Sequence, residues 1–126
     1  MFKDKVYIEN DFGFFVGVFK DNLPHKHFAI QISVALDNHL TVTDEKGREK
    51  AYKSCIIKSN VMHQLSCEGK QLLLLINPCS SFGHFLSRQI TSDVSPFQHN
   101  LTDNLEQCAN AYLNGVINFK TLVSKI

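Results

Sequence analysis

Four side chains in this sequence are placed to do chemistry together: His25, His27, Gln31 and His63. On an extended strand, residues i and i+2 hold their Cβ atoms about 6.5–7 Å apart on one face. Two imidazoles can close that gap on a shared metal, each ring nitrogen about 2.0–2.2 Å from it. His25-Lys26-His27 is therefore a workable chelating pair if extension begins at His25. Gln31 keeps the same parity and can add an oxygen, and His63 follows a strand and a turn that can deliver it from a neighbouring strand. Such a set suits a divalent transition metal: zinc, iron, copper, nickel or manganese. It equally suits the wall of a pocket whose polar groups bond a small organic ligand or water. A lone histidine on a half-buried strand is more often a hydrogen-bonded wall residue, and Gln31 can be a satisfied buried amide.

The element that must position these groups is the stretch from Pro24 to Asp37. Phe28, Ile30, Ile32, Val34 and Leu36 alternate with Ala29, Gln31, Ser33 and Ala35. Side chains of a strand point to opposite faces with period two, so the pattern predicts a strand with one apolar face and one small or polar face that lines a hollow. Around it the sequence predicts further short strands. Val6-Tyr7-Ile8 opens the chain, and the apolar run Phe12 to Phe19 reads as a strand buried on both faces. Leu40 to Thr43 and Ala51 to Lys58 flank a charged hairpin tip at Glu45-Lys46-Gly47-Arg48. His63 to Cys67 and Gln71 to Asn77 are expected as two strands separated by a tight turn at Glu68-Gly69-Lys70. This rhythm is that of a sandwich or barrel.

Beyond Pro78 the period changes. Ser80 or Ser81 can cap a short helix with Phe82, Phe85, Leu86 and Ile90 as its apolar face. Thr91 to Asn100 reads as a loop containing Pro96. Asp103 with Glu106 resembles a capping box, and Leu105, Cys108, Ala109, Tyr112 and Leu113 share one side of the helix that follows. Asn114-Gly115 reads as its stop. Val116, Phe119, Leu122, Val123 and Ile126 predict a last helix. The chain ends on that apolar stripe, which predicts either a shortened chain or a helix packed on a partner. Residues 1–79 are thus expected to form a β-barrel and 80–126 a helical segment packed on it, within one domain.

Bulk properties restrict the function. The 126 residues are 44% hydrophobic and 20% charged with net charge +1, enough for one core and without a basic face for nucleic acid. The first residues lack the apolar run of a signal peptide, and the longest apolar run, Leu72 to Ile76, is too short to cross a membrane. Cys55, Cys67, Cys79 and Cys108 form no Cys-x-x-Cys pair and are expected as reduced, mostly buried thiols in a cytoplasmic protein. His39, His84 and His99 fall in a turn, a helix and a loop, where a functional role is not expected.

The residues resemble the two motifs of the cupin superfamily: a glycine, then His-x-His, then a carboxylate, and later Pro-x-Gly-x-x-His. Gly17, His25, His27 and His63 match; Gln31 stands where cupins place Glu, and Lys58 and Asn60 replace the proline and glycine. A neutral amide does not offset metal charge, which lowers the expected affinity. From Pro24 to Arg88, the strings HKHFAIQISVALDNHLTV, IIKSNVMHQL and LLLLINPCSSFGHFL are similar to the N-terminal sensing domains of AraC-type transcription regulators. The resemblance implies a mainly β fold, a cupin-like double-stranded β-helix (jelly-roll barrel) followed by two or three C-terminal helices that mediate dimerisation. It implies a ligand-sensing and dimerisation domain that binds a small molecule in the barrel. The signal would pass to a helix-turn-helix domain outside this chain, with no direct nucleic-acid contact here. The competing reading is a small metal-dependent cupin enzyme, an isomerase or dioxygenase using zinc, iron, nickel or manganese at His25, His27, Gln31 and His63; the lack of an acidic residue from His25 to Gln31 disfavours it.

Overall fold

A computed structural model describes residues 5–8, 12–20, 26–90, 92–97 and 100–118. In chain order the described elements are β1 (Lys5–Ile8), β2 (Phe12–Lys20), β3 (Ile30–Ala35), β4 (Leu40–Asp44), β5 (Glu49–Tyr52), β6 (Ser54–Ile57), β7 (His63–Ile76), α1 (Ser81–Gln89), β8 (Val94–Pro96) and α2 (Asn100–Leu113). The strands form one antiparallel sheet in the order β1-β2-β7-β3-β6-β8, with β4 joined to β7 and β5 to β4.

β7 is the spine. Its second half lies between β2 and β3, so that Phe15 and Ser33 both face Leu73, and Gly17 and Ala35 both face Gln71. Its first half pairs with β4, from Leu40 opposite Cys67 to Asp44 opposite His63. The sequence predicts two strands here; the structure has one. Asp37, from the turn after β3, explains the glycine that looks like a turn signal. Its carboxylate accepts from the Lys70 amide at 2.8 Å. A Cβ on Gly69 would lie 2.5 Å from that same carboxylate oxygen. The glycine answers a close approach rather than a reversal of the chain.

Other boundaries also move. The central strand begins at Ile30, so His27 lies just ahead of it and Phe28 is 57% exposed instead of joining the apolar face. The expected strand from Ala51 to Lys58 divides at Lys53 into β5 and β6. The expected loop from Thr91 to Asn100 contains β8, which pairs with β6 and puts Pro96 on the sheet's edge, where a missing amide costs no ladder bond. The hairpin tip is as expected: Gly47 takes φ 79°. Asp44 accepts there from the Lys46 and Arg48 amides and from Arg48 Nε. The Arg48 backbone bond above all holds the Asp44 carboxyl below its ordinary range.

β3 is buried throughout, and its two faces serve two cores. Ile30, Ile32 and Val34 join Leu72, Leu74 and Ile76 on the outer side of the sheet, where Leu86 of α1, Ile90 just past its end and Ala109 of α2 cover them. On the inner side Ala35, Cys55, Ile57 and Leu73 meet Leu40, Val42, Tyr52 and Leu65. α1 is capped by Ser80, whose hydroxyl accepts from the Gly83 amide at 3.0 Å. Its buried face is Gly83, Leu86 and Ile90, while Phe82 and Phe85, expected in that face, are 41% and 54% exposed. α2 packs through Cys108, Ala109, Tyr112 and Leu113, as the spacing predicts, and stops at Leu113, with Gly115 at φ 76° in the turn that follows. Residues 114–118 are not helical, and Val116 is 76% exposed. Phe119, Leu122, Val123 and Ile126 lie outside the described residues.

Candidate functional site

His27, Gln31 and His63 converge at the inner face of the sheet. The rings of His27 and His63 stand edge to face with centroids 5.1 Å apart and an interplanar angle of 81°. This convergence also reports on the shape of the barrel. Gln31 pairs with Leu75 near the end of β7, whereas His63 is the first residue of that strand. Twelve residue steps of straight strand would span about 40 Å. For His63 to reach His27, β7 must curl around the interior, as a strand of a closed barrel does.

The chain between β6 and β7 fixes the pair from the backbone. The Asn60 amide donates to His27 O at 2.8 Å, and Ser59 Oγ donates to Phe28 O at 2.5 Å. Asn60 adopts φ 60°, a left-handed conformation that asparagine tolerates better than most residues. His63 Nδ1 donates to Val61 O at 2.8 Å, and His27 Nδ1 donates to Ala29 O at 2.9 Å. A carbonyl can only accept, so both rings carry their hydrogen on Nδ1 and leave Nε2 as the nitrogen with a lone pair when neutral.

His27 Nε2 lies 2.9 Å from the Gln31 amide oxygen, and the other end of that amide lies 2.9 Å from Ser33 Oγ. Two proton arrangements satisfy this contact. A neutral ring needs the amide turned so that its NH2 faces Nε2 and its oxygen accepts from Ser33. A charged ring donates to the oxygen directly. Gln31 serves either by rotation about its last bond, because its two ends are one donor and one acceptor of equal size. Gln31 is 2% exposed, Ser33 0% and His63 1%, so this chain of polar groups runs through the barrel interior.

Ser33 and Gln71 belong to this inner face and were not among the candidate residues of the sequence. Gln71 is fully buried between Gly17 and Ala35, whose small side chains leave room for it. Its even spacing from Leu73 and Leu75 is the signal that places it inward. His25 lies outside the described residues. Among the described residues, no group of three or more His, Cys, Asp or Glu side chains is arranged to hold a metal ion. His39 is exposed in its turn and His84 exposed on α1; His99 lies outside the described residues.

The cysteines are free thiols. Cys55 sits beside Ser33 across the β3–β6 pair, and burial pushes its thiol up to about 12. Burial also raises Cys67. Cys79, expected with the buried thiols, is exposed ahead of α1.

No protein-family model and no curated protein matches this sequence. Solved structures do resemble its fold. Apo ToxT from Vibrio cholerae superposes with a TM-score of 0.55 at 12% identity, over 94% of this chain and 52% of that one. This chain thus spans about half the length of that protein. Protein NMB1881 from Neisseria meningitidis gives 0.49 at 15% identity, over 59% of this chain and 82% of that one. An RmlC-like cupin from Shewanella frigidimarina gives 0.46 at 17% identity, over 60% and 74%. At 12% identity the likeness to ToxT speaks for the fold alone. The chain has a mainly β, barrel-like sheet followed by two helices among the described residues. No described helix is long and apolar enough to cross a membrane.

Proposed function

We propose that this chain is the ligand-sensing and dimerisation module of an AraC-type transcription regulator. A small molecule held in the barrel beside His27, Gln31 and His63 would bias the helices, and with them a DNA-binding domain outside this chain. The observation that carries the reading is the two-sided burial of β3. Gln31 and Ser33 face the imidazole pair, while Ile30, Ile32 and Val34 on the same strand bear on the helical layer. A close-packed strand cannot change its inner contacts without shifting its outer ones. A ligand that favours one position of β3 therefore favours one seating of α1 and α2, which is a population shift. ToxT, an AraC-type regulator whose fold is shared over both barrel and helices, supports this choice. Sedimentation equilibrium is the test. A concentration-dependent dimer is expected, and a monomer at every concentration would count decisively against dimerisation through this module.

One observation favours a second reading, a metal-dependent cupin enzyme. Both Nδ1 atoms are tied to backbone carbonyls, the arrangement that orients a metal-binding imidazole through Nε2. Against it, Gln31 already lies on His27 Nε2 and supplies no charge. Metal analysis of protein purified without a histidine tag separates the two readings. Stoichiometric metal lost on His27→Ala favours the enzyme.

A further inference from the structure

A cleft of about 820 Å³ opens between the β4–β5 hairpin, the chain ahead of β7 and the start of β8. None of His27, Gln31 or His63 lines it. Its size is that of a small-molecule site. Its apolar wall is not surface residue scatter. Val42 and Tyr52 are members of the inner core, and Val61 and Val94 pack against that core, so an occupant would touch the barrel's own interior residues.

Charge narrows the class of occupant. Seven charged side chains line the cleft: Asp44, Glu45, Lys46, Arg48, Glu49, Lys50 and Asp93. Arg48 and Asp44 satisfy each other at 2.8 Å. That leaves three carboxylates against two ammonium groups, an excess of negative charge around an apolar wall. One of the two ammonium groups is already spoken for: Lys50 Nζ stands 5.5 Å over the centroid of the Tyr52 ring. The aromatic face of the cleft thus holds a cation supplied by the protein, on a side chain that is itself exposed and free to swing away.

We propose that this cleft binds a small organic cation, an amine carried on an apolar or aromatic body, with its ammonium over Tyr52 in place of Lys50 and its body against Val42, Val61 and Val94. Anions are disfavoured by the carboxylates, and a neutral molecule gains nothing from the ring's quadrupole beyond area. The site stands apart from the histidine pair, so its failure leaves the regulator reading where it was. Val61 does link the two, because its carbonyl holds His63 Nδ1 while its side chain lines the cleft.

The test is a titration of the full ¹⁵N-labelled chain with 2-phenylethylamine, phenylacetate and 2-phenylethanol at constant ionic strength. Saturable shifts at the Tyr52, Val61 and Val94 amides are expected with the amine, and weaker binding with the other two. Lys50→Ala removes the resident cation and should tighten amine binding roughly two- to fivefold, the scale of an exposed cation–π contact. Tyr52→Leu should weaken it by a similar factor. Should Tyr52→Leu fail to fold, Lys50→Ala decides alone, since Lys50 is exposed. The proposal is overturned if phenylacetate binds as tightly as the amine, if no saturable shift appears, or if Lys50→Ala weakens binding.

Discussion

At the scale of single residues, Gln31 is the joint of the interior polar chain. Replacing it by leucine keeps the volume but removes one hydrogen-bond partner from His27 and one from Ser33. Leaving buried polar groups short of a partner costs about 1–3 kcal/mol, so Gln31→Leu should lower the urea midpoint by a corresponding amount with an unchanged slope. Cys55 gives a pH dependence. Burial raises its thiol from the ordinary 9.0 to about 12, favouring the protonated form in the folded state. Its contribution to stability is therefore complete below pH 9. It is lost as pH rises from there towards 12, because the unfolded chain ionises first. Native alkylation at neutral pH should label the exposed Cys79 readily and spare Cys55, and mass spectrometry of the digest reads the ratio. Equal labelling of the two would contradict the buried placement.

At the scale of elements, α1 docks through its glycine. A Cβ on Gly83 would lie 2.1 Å from the Asn77 carbonyl oxygen and 2.7 Å from Pro78 Cα, both backbone atoms. Alanine in an exposed helix interior is better than glycine by about 1 kcal/mol, but here overpacking should reverse the sign and cost about 1–3 kcal/mol in thermal or urea unfolding. The same contact explains why Phe82 and Phe85 were misplaced by periodicity. The stripe from Phe82 to Ile90 is wide enough for several rotations of the helix, and only the close seat at Gly83 selects the one that turns the phenylalanines outward. The sequence divides β7 in two for a similar reason. Glu68-Gly69-Lys70 is locally turn-like, and its actual cause, Asp37, is 33 positions from the amide it binds. β3 was legible because its two faces differ so sharply in size and polarity. Its companions were legible where apolar alternation was strict. The meeting of His27 with His63 does not follow from that alternation, since His27 lies ahead of β3 and the curl of β7 delivers His63. Ser33 and Gln71 carry the same period-two signal as Gln31, but with no imidazole beside them in sequence nothing marks them as part of a site until their neighbours are known.

At the scale of the molecule, the sheet separates an inner core from an outer one, and α2 is tethered to the barrel by charge as well as by packing. Lys53, at the break between β5 and β6, donates to the Ala35 carbonyl at 2.6 Å and pairs with Glu106 of α2 at 3.1 Å. Both partners are partly exposed, so Lys53→Met should cost under about 1 kcal/mol globally. Its main effect is expected to be local, as faster amide exchange in α2 than in β3.

Among the described residues, the helical layer sends Leu86 and Ile90 from α1 and its margin, and Ala109 from α2, into the outer core as buried side chains. A layer that docks on one face of the sheet, outside its hydrogen-bonded ladder, can open while the sheet stays closed. Deuterium uptake should then occur in two stages, the helices exchanging through a partial opening and β3 and β7 only when the whole chain unfolds. The barrel would keep its shape through the first stage, and the helices could change partners without the protein ever passing through a denatured state.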